Sequence, residues 1–399
     1  MSTAGRGWSW KLDGWATPAY VACAVITALP LFTRLGLAPW PPALVYLAFW
    51  VALFGALRPV VRYLGSRPQL SAAVIAAGSS ALAAADAVLY PQSRTGPAPS
   101  TAPDALIEPA RNLLAGRFPY DVALRDAAPA SPGPGWVLLN APLTLAGLVW
   151  GLSALWLAVA AVLLERRHRG AGSGFVCILL ATLPFVRMSA VGHDLFAVAC
   201  ALAAAALVTD LSAGRSRRLA LAGLATGVVA TARVPLVVFP LVLAALLAGR
   251  DRRQGAVFGG AALGSALSIH GAALAWGHAV GAAYQPLHVF DRAQRGLGIW
   301  LLAAGAAAWL GSMAVIVVRA DRELAGWLRS LWWSMVLPFG AIGCAELAAR
   351  GWAWRGWEGS IYLGFPLPLL AAALALRLAS GAAAGSSVRA AAGAATSAR

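Results

Sequence analysis

Residues 17–37, TPAYVACAVITALPLFTRLGL, carry one charge in a run long enough to cross a bilayer, which takes about 20 apolar residues. The fold class follows from this stretch because runs like it recur. They cover roughly 42–64, 70–90, 148–165, 174–190, 192–210, 217–232, 234–249, 256–276, 297–318, 327–348 and 360–379. The expected fold is all-α: a polytopic transmembrane helical bundle of about twelve helices, with a range of about 10 to 13. The four runs between 174 and 249 also read as two tight hairpins.

Composition excludes the water-soluble classes. The chain is 60% hydrophobic and 12% charged, with a mean hydropathy of +0.72. Soluble domains carry roughly 25% charged residues, so lipid must cover much of this surface. The net charge of +16 rests on Arg, with Lys11 the sole Lys, in short clusters between apolar runs. That spacing reads as topology signals, and no nucleic acid partner is expected. Cys23, Cys177, Cys200 and Cys344 each lie in an apolar run without metal-ligand spacing. The first run has no small-residue cleavage site after it, so it reads as a span and not as a cleaved signal.

Charge asymmetry sets the expected orientation. Twelve spans place 20 of the 31 Arg and Lys, but 6 of the 15 acids, on the side of the N-terminus. The side richer in Arg and Lys is cytoplasmic, so both termini are expected in the cytoplasm and the protein in the cell membrane. Residues 1–380 read as one transmembrane domain, with 91–147 as an extracytoplasmic loop holding interfacial helices and 381–399 as a disordered cytoplasmic tail. Trp8, Trp10 and Trp15, and Trp352, Trp354 and Trp357, suit headgroup-level belts.

The polar chemistry concentrates in that outer loop. It opens with PQSRTGPAPSTAP from Pro91, which reads as coil, and continues DALIEPARNLLAGRFPYD to Asp121. Pro109 suits the first turn of a surface helix and Gly116 its C-terminal cap. Glu108, Arg111 and Asn112 are expected to face water. The segment PGPGWVLLNAPLTL, from Pro132, is too short to span.

Asp104, the short helix, Gly116-Arg-Phe-Pro-Tyr120-Asp121 and Pro132-Gly-Pro134-Gly-Trp136 through Pro142-Leu143 together resemble the first outer loop of GT-C-type membrane glycosyltransferases. The likeness is greatest to family 87 and related polyprenyl-phosphate-mannose-dependent mannosyltransferases of actinobacteria. Gly192-His193-Asp194, Ala232-Arg233-Val-Pro235 and Tyr362-Leu-Gly-Phe-Pro366 echo the same pattern. The family carries Tyr in the turn that here reads Pro-Gly-Pro-Gly.

The resemblance implies transfer of a sugar, most plausibly mannose, from a polyprenyl-phosphate donor to a lipid or cell-wall glycan acceptor outside the cell. It implies Asp104 as the catalytic base, with Asp121 and Asp126 as rivals. Inverting transfer needs a carboxylate to take the acceptor proton, and the leaving phosphate needs positive charge. Candidate phosphate contacts are Arg292, Arg295 and Arg233, then Arg187, Arg350 and Arg355; Arg292 and Arg295 serve equally as interfacial anchors beside Asp291. Glu108 either orients an acceptor or pairs with Arg111. Tyr120 joins the substrate-binding set. His193 and Asp194 either line the cavity or cap the next helix. No histidine spacing fits a metal motif, and neither metal nor cofactor is implied. Other readings are a transporter or flippase, which predicts inverted repeats and midplane broken helices, and a non-catalytic membrane protein of the same fold.

Overall fold

The computed structural model describes residues 14–95, 99–124, 128–321, 323–349, 351–355, 357 and 359–380, with the side chains of 289–302, 304, 345 and 349 excepted. The tail at 381–399, Asp126 and Arg350 lie outside them, as do the side chains of Asp291, Arg292 and Arg295.

Among the described residues all regular structure is helical. In chain order the helices are α1 (Ala16–Arg34), α2 (Trp40–Ser66), α3 (Pro68–Thr95), α4 (Asp104–Leu114), α5 (Pro134–Leu145), α6 (Leu152–Arg167), α7 (Ala171–Leu180) and α8 (Leu183–Ala190). They continue as α9 (Leu195–Ser212), α10 (Ser216–Ala230), α11 (Val238–Ala248), α12 (Arg252–Ala279), α13 (His288–Arg319) and α14 (Leu324–Ala349), then α15 (Ser360–Ser380). Eight are long and apolar enough to cross a membrane: α1, α2, α3, α6 (with its entry turn from Val149), α9, α12, α14 and α15. Leu44, Val45, Val51, Val88, Leu221 and Val318 are 63–84% exposed. That much bare apolar surface is unfavourable in water and ordinary in lipid. The chain is a multi-pass helical protein with membrane-crossing helices.

Three expectations are corrected in detail. The single span expected at 174–190 is two helices, α7 and α8, meeting at 76°. Pro184 starts α8 and Thr182 is extended, so the ladder breaks there. Backbone groups freed in lipid must find partners; Tyr46 supplies them, and Tyr20 holds the side chain at the break. Tyr46 Oη donates to the Ala181 carbonyl at 2.9 Å and accepts the Leu183 N–H at 3.0 Å. Tyr20 Oη lies 2.6 Å from Thr182 Oγ1.

Second, α3 does not stop near residue 90. It runs through Pro91 to Thr95, although an interior proline removes one donor and crowds the carbonyl four residues back. Third, α4 begins at Asp104, so Pro109 sits mid-helix. Its end is a Schellman cap as Gly116 suggested: the Arg117 N–H reaches the Asn112 carbonyl at 2.8 Å and the Gly116 N–H that of Leu113 at 3.2 Å.

One apolar core runs from Tyr20 in α1 to Leu376 in α15. Its centre is α9, where Ala199, Ala203 and Ala206 are fully buried; small side chains let neighbouring helices approach closely. The two ends of α9 are polar and about 27 Å apart at the usual helical rise. At the C-terminal end Asp210 accepts from Arg167 at 2.8 Å and Arg250 at 2.7 Å, and the Arg250 guanidinium lies 3.8 Å over Trp327. Three of the Arg-rich turns are thereby drawn to one end. The N-terminal end, at Asp194, holds the candidate site.

Candidate functional site

The extension of α3 brings Arg94 to Asp104. The guanidinium donates to both carboxylate oxygens, at 2.6 and 3.1 Å, and also to the Ser100 carbonyl. The Asp104 side chain is 11% exposed and that of Arg94 19%, so the pair is shielded without being sealed. A cavity of about 310 Å³ opens beside it, lined by Arg94, Asp104, Ile107, Glu108, Arg111, Ala123 and Leu124. One helical turn after Asp104, Glu108 pairs with Arg111 at 2.8 Å, both exposed. Of the two readings for Glu108, the pairing is what the structure contains.

A second ion pair lies behind this one. Asp194, 4% exposed, accepts two hydrogen bonds from Arg233 at 2.6 and 3.1 Å and one from the Trp136 indole N–H at 2.9 Å. His193 caps α9: its Nδ1 accepts the Leu195 N–H at 3.3 Å, which places the proton of the neutral ring on Nε2.

Close backbone packing joins the two pairs. Gly192 has φ +71°, and a Cβ there meets the Tyr90 ring at 2.8 Å and Pro103 at 2.9 Å, so the turn before Asp194 presses on the start of α4. Ser100 Oγ donates to the Val191 carbonyl at 3.2 Å. On the other side, a Cβ on Gly133 lies 1.9 Å from the Thr231 carbonyl oxygen. The Trp136 N–H donates to Thr231 Oγ1 at 3.0 Å. The Pro-Gly-Pro-Gly turn thus seats against the break between α10 and α11 that presents Arg233.

The remaining candidates divide. Tyr120 is buried and its hydroxyl donates to the Pro132 carbonyl at 2.8 Å; burial raises its pKa well above the ordinary value, so it acts as a neutral strut of the loop. Asp121 is exposed on the loop surface, away from the Asp104 cavity lining. Arg187 in α8 is half-buried and Arg355 exposed. Arg233 is taken up by Asp194. Sequence reasoning missed Arg94, whose only signal was a lone Arg shortly after an apolar run. Among the described residues no group of His, Cys, Asp and Glu is arranged to hold a metal.

Fold and site define a multi-pass helical bundle that gathers a shielded acid–arginine pair, a second buried ion pair and an open cavity at one end. Compared with known proteins, the chain matches no family model, no curated protein and no solved structure.

Proposed function

We propose that the chain is a GT-C-type glycosyltransferase of the cell membrane that moves a sugar, mannose by resemblance, from a polyprenyl phosphate to a lipid or cell-wall glycan outside the cell. The observation that carries this is the Asp104 carboxylate held against Arg94 at the mouth of a cavity that also presents Arg111. The lining holds two acids and two cations, Arg94 paired with Asp104 and Arg111 with Glu108; Asp104 suits an acceptor hydroxyl, and the two guanidiniums suit a leaving phosphate that displaces their carboxylate partners.

In this reading the acceptor oxygen attacks the anomeric carbon and the bond from that carbon to the phosphate oxygen breaks. The hydroxyl proton passes to Asp104, and the departing phosphate monoester gains a negative charge, met by Arg94 and Arg111. The incoming phosphate competes for Arg94 and so frees Asp104 when the donor is bound.

The proposed topology is twelve crossings with both termini cytoplasmic. It counts the eight long helices, the broken α7–α8, α13, and the short α10 and α11 as a hairpin. At 15 residues, α10 rises about 22 Å, less than the hydrocarbon core. Its turn at Thr231–Arg233 then lies at membrane depth, which is tolerated where irregular backbone is buried in protein. The Asp210 end faces the cytoplasm, following the Arg clusters.

One observation favours transport instead. Asp86 in α3 is fully buried and hydrogen-bonded by Ser189 of the broken span, with its Oδ1 lacking a partner among the described residues, and transporters place such acids beside broken helices. Reconstitution separates the readings. The full chain in vesicles with labelled polyprenyl-phosphate mannose should release polyprenyl phosphate and label an added membrane acceptor. Movement of intact donor between leaflets without release would assign transport.

A further inference from the structure

A second cleft lies on the other side of the 116–122 loop, and the reaction proposed above gives it no role. It is about 550 Å³, lined by residues 116–118, 120–122, 276, 280–283 and 285. Its walls are tied together by hydrogen bonds. Gln285 donates to the Tyr120 and Val122 carbonyls at 2.7 and 3.0 Å and accepts the Ala130 N–H at 2.6 Å, and Asn112 donates to the Asp121 carbonyl at 3.0 Å. The Phe118 ring meets Trp276 edge-on, centroids 5.8 Å apart, leaving the indole half-exposed in the cleft. The Asp121 carboxylate and Arg117 guanidinium are exposed nearby, neither making a side-chain hydrogen bond nor an ion pair among the described residues.

The electrostatics select the class of ligand. Two helices end at this cleft in the same cap. That of α4 is described above; in α12 the Ala282 N–H reaches the Gly277 carbonyl at 2.9 Å and the Gly281 N–H that of His278 at 3.2 Å. Helix C-termini carry partial negative charge, and the exposed Asp121 and Arg117 charges offset each other, so the cleft has no excess positive charge to select a phosphate. A neutral ligand rich in hydroxyl donors, with an apolar face to lie on an indole, suits it. That is the chemistry of a saccharide, and mixed aromatic and polar lining is usual for such sites.

We infer that the Arg117–Asp121–Trp276 cleft binds a neutral saccharide chain, which on the transferase reading is the growing end of the glycan acceptor. The assignment to the acceptor rests on that reading; binding itself does not.

The test is saturation-transfer NMR on the full chain in nanodiscs, with linear mannotriose, maltotriose and xylotriose as probes and inorganic phosphate as competitor. At least one probe should bind saturably. Trp276→Ala or Asp121→Asn should weaken it about tenfold or more, Trp276→Phe should retain it, and phosphate should not compete. The measurement uses no sugar donor, so a failure of the transferase reading leaves this result standing. No saturable binding of any probe, binding unchanged in both Trp276→Ala and Asp121→Asn, or displacement by phosphate would overturn the inference.

Discussion

Asp194 and Arg233, 39 residues apart in the chain, meet through two hydrogen bonds of 2.6 and 3.1 Å at the end of the bundle that holds the candidate site. Removing one partner strands a charge where there is little water. Arg233→Met is therefore expected to cost about 3–5 kcal/mol of stability. The double variant Asp194→Leu, Arg233→Met should recover much of that, since replacing both charges by apolar groups removes the desolvation cost. Thermal unfolding in detergent measures both. Equal instability of the single and double variants would mean that the pair does not behave as a unit.

Gly133→Ala places a Cβ 1.9 Å from the Thr231 carbonyl, where backbone must move. Overpacking of this kind costs about 1–3 kcal/mol. Because the Pro-Gly-Pro-Gly turn and Arg233 share that contact, transfer activity should fall with stability. Gly147→Ala, in open space though at positive φ, controls for the substitution itself and should leave activity near normal.

Orientation is tested by labelling. With the four native cysteines replaced, a single Cys at Ala115 should react with a membrane-impermeant maleimide in intact cells, and one at Gly214 only after permeabilisation. The reverse pattern would invert the topology and put the candidate site in the cytoplasm.

Much of this architecture was legible in the apolar runs, because a membrane-crossing helix announces itself by composition over about 20 residues. The run at 256–276 became Arg252–Ala279, and that at 327–348 became Leu324–Ala349. Shorter-range signals were less reliable. Pro91 and the glycine and prolines after it suggested coil, yet α3 continues to Thr95 and thereby supplies Arg94. Pro184 was hidden within an apolar run and breaks it. Asp104 was picked out through the family resemblance, and Asp194 and Arg233 as weaker echoes of the same pattern. Their partnership was not legible, because helix-to-helix distances are not written in local sequence. The bond made by Tyr120 was equally illegible: a tyrosine in a polar loop gives no sign that its hydroxyl will be spent on a carbonyl inside the loop.

The central claim is that Asp104 takes a proton from an acceptor hydroxyl while Arg94 receives a phosphate. Single-turnover transfer from labelled polyprenyl-phosphate mannose, in vesicles containing Asp104→Asn, addresses it directly. The account predicts a fall of about 10²–10⁴-fold in rate with donor still bound. Transfer at the wild-type rate would contradict it.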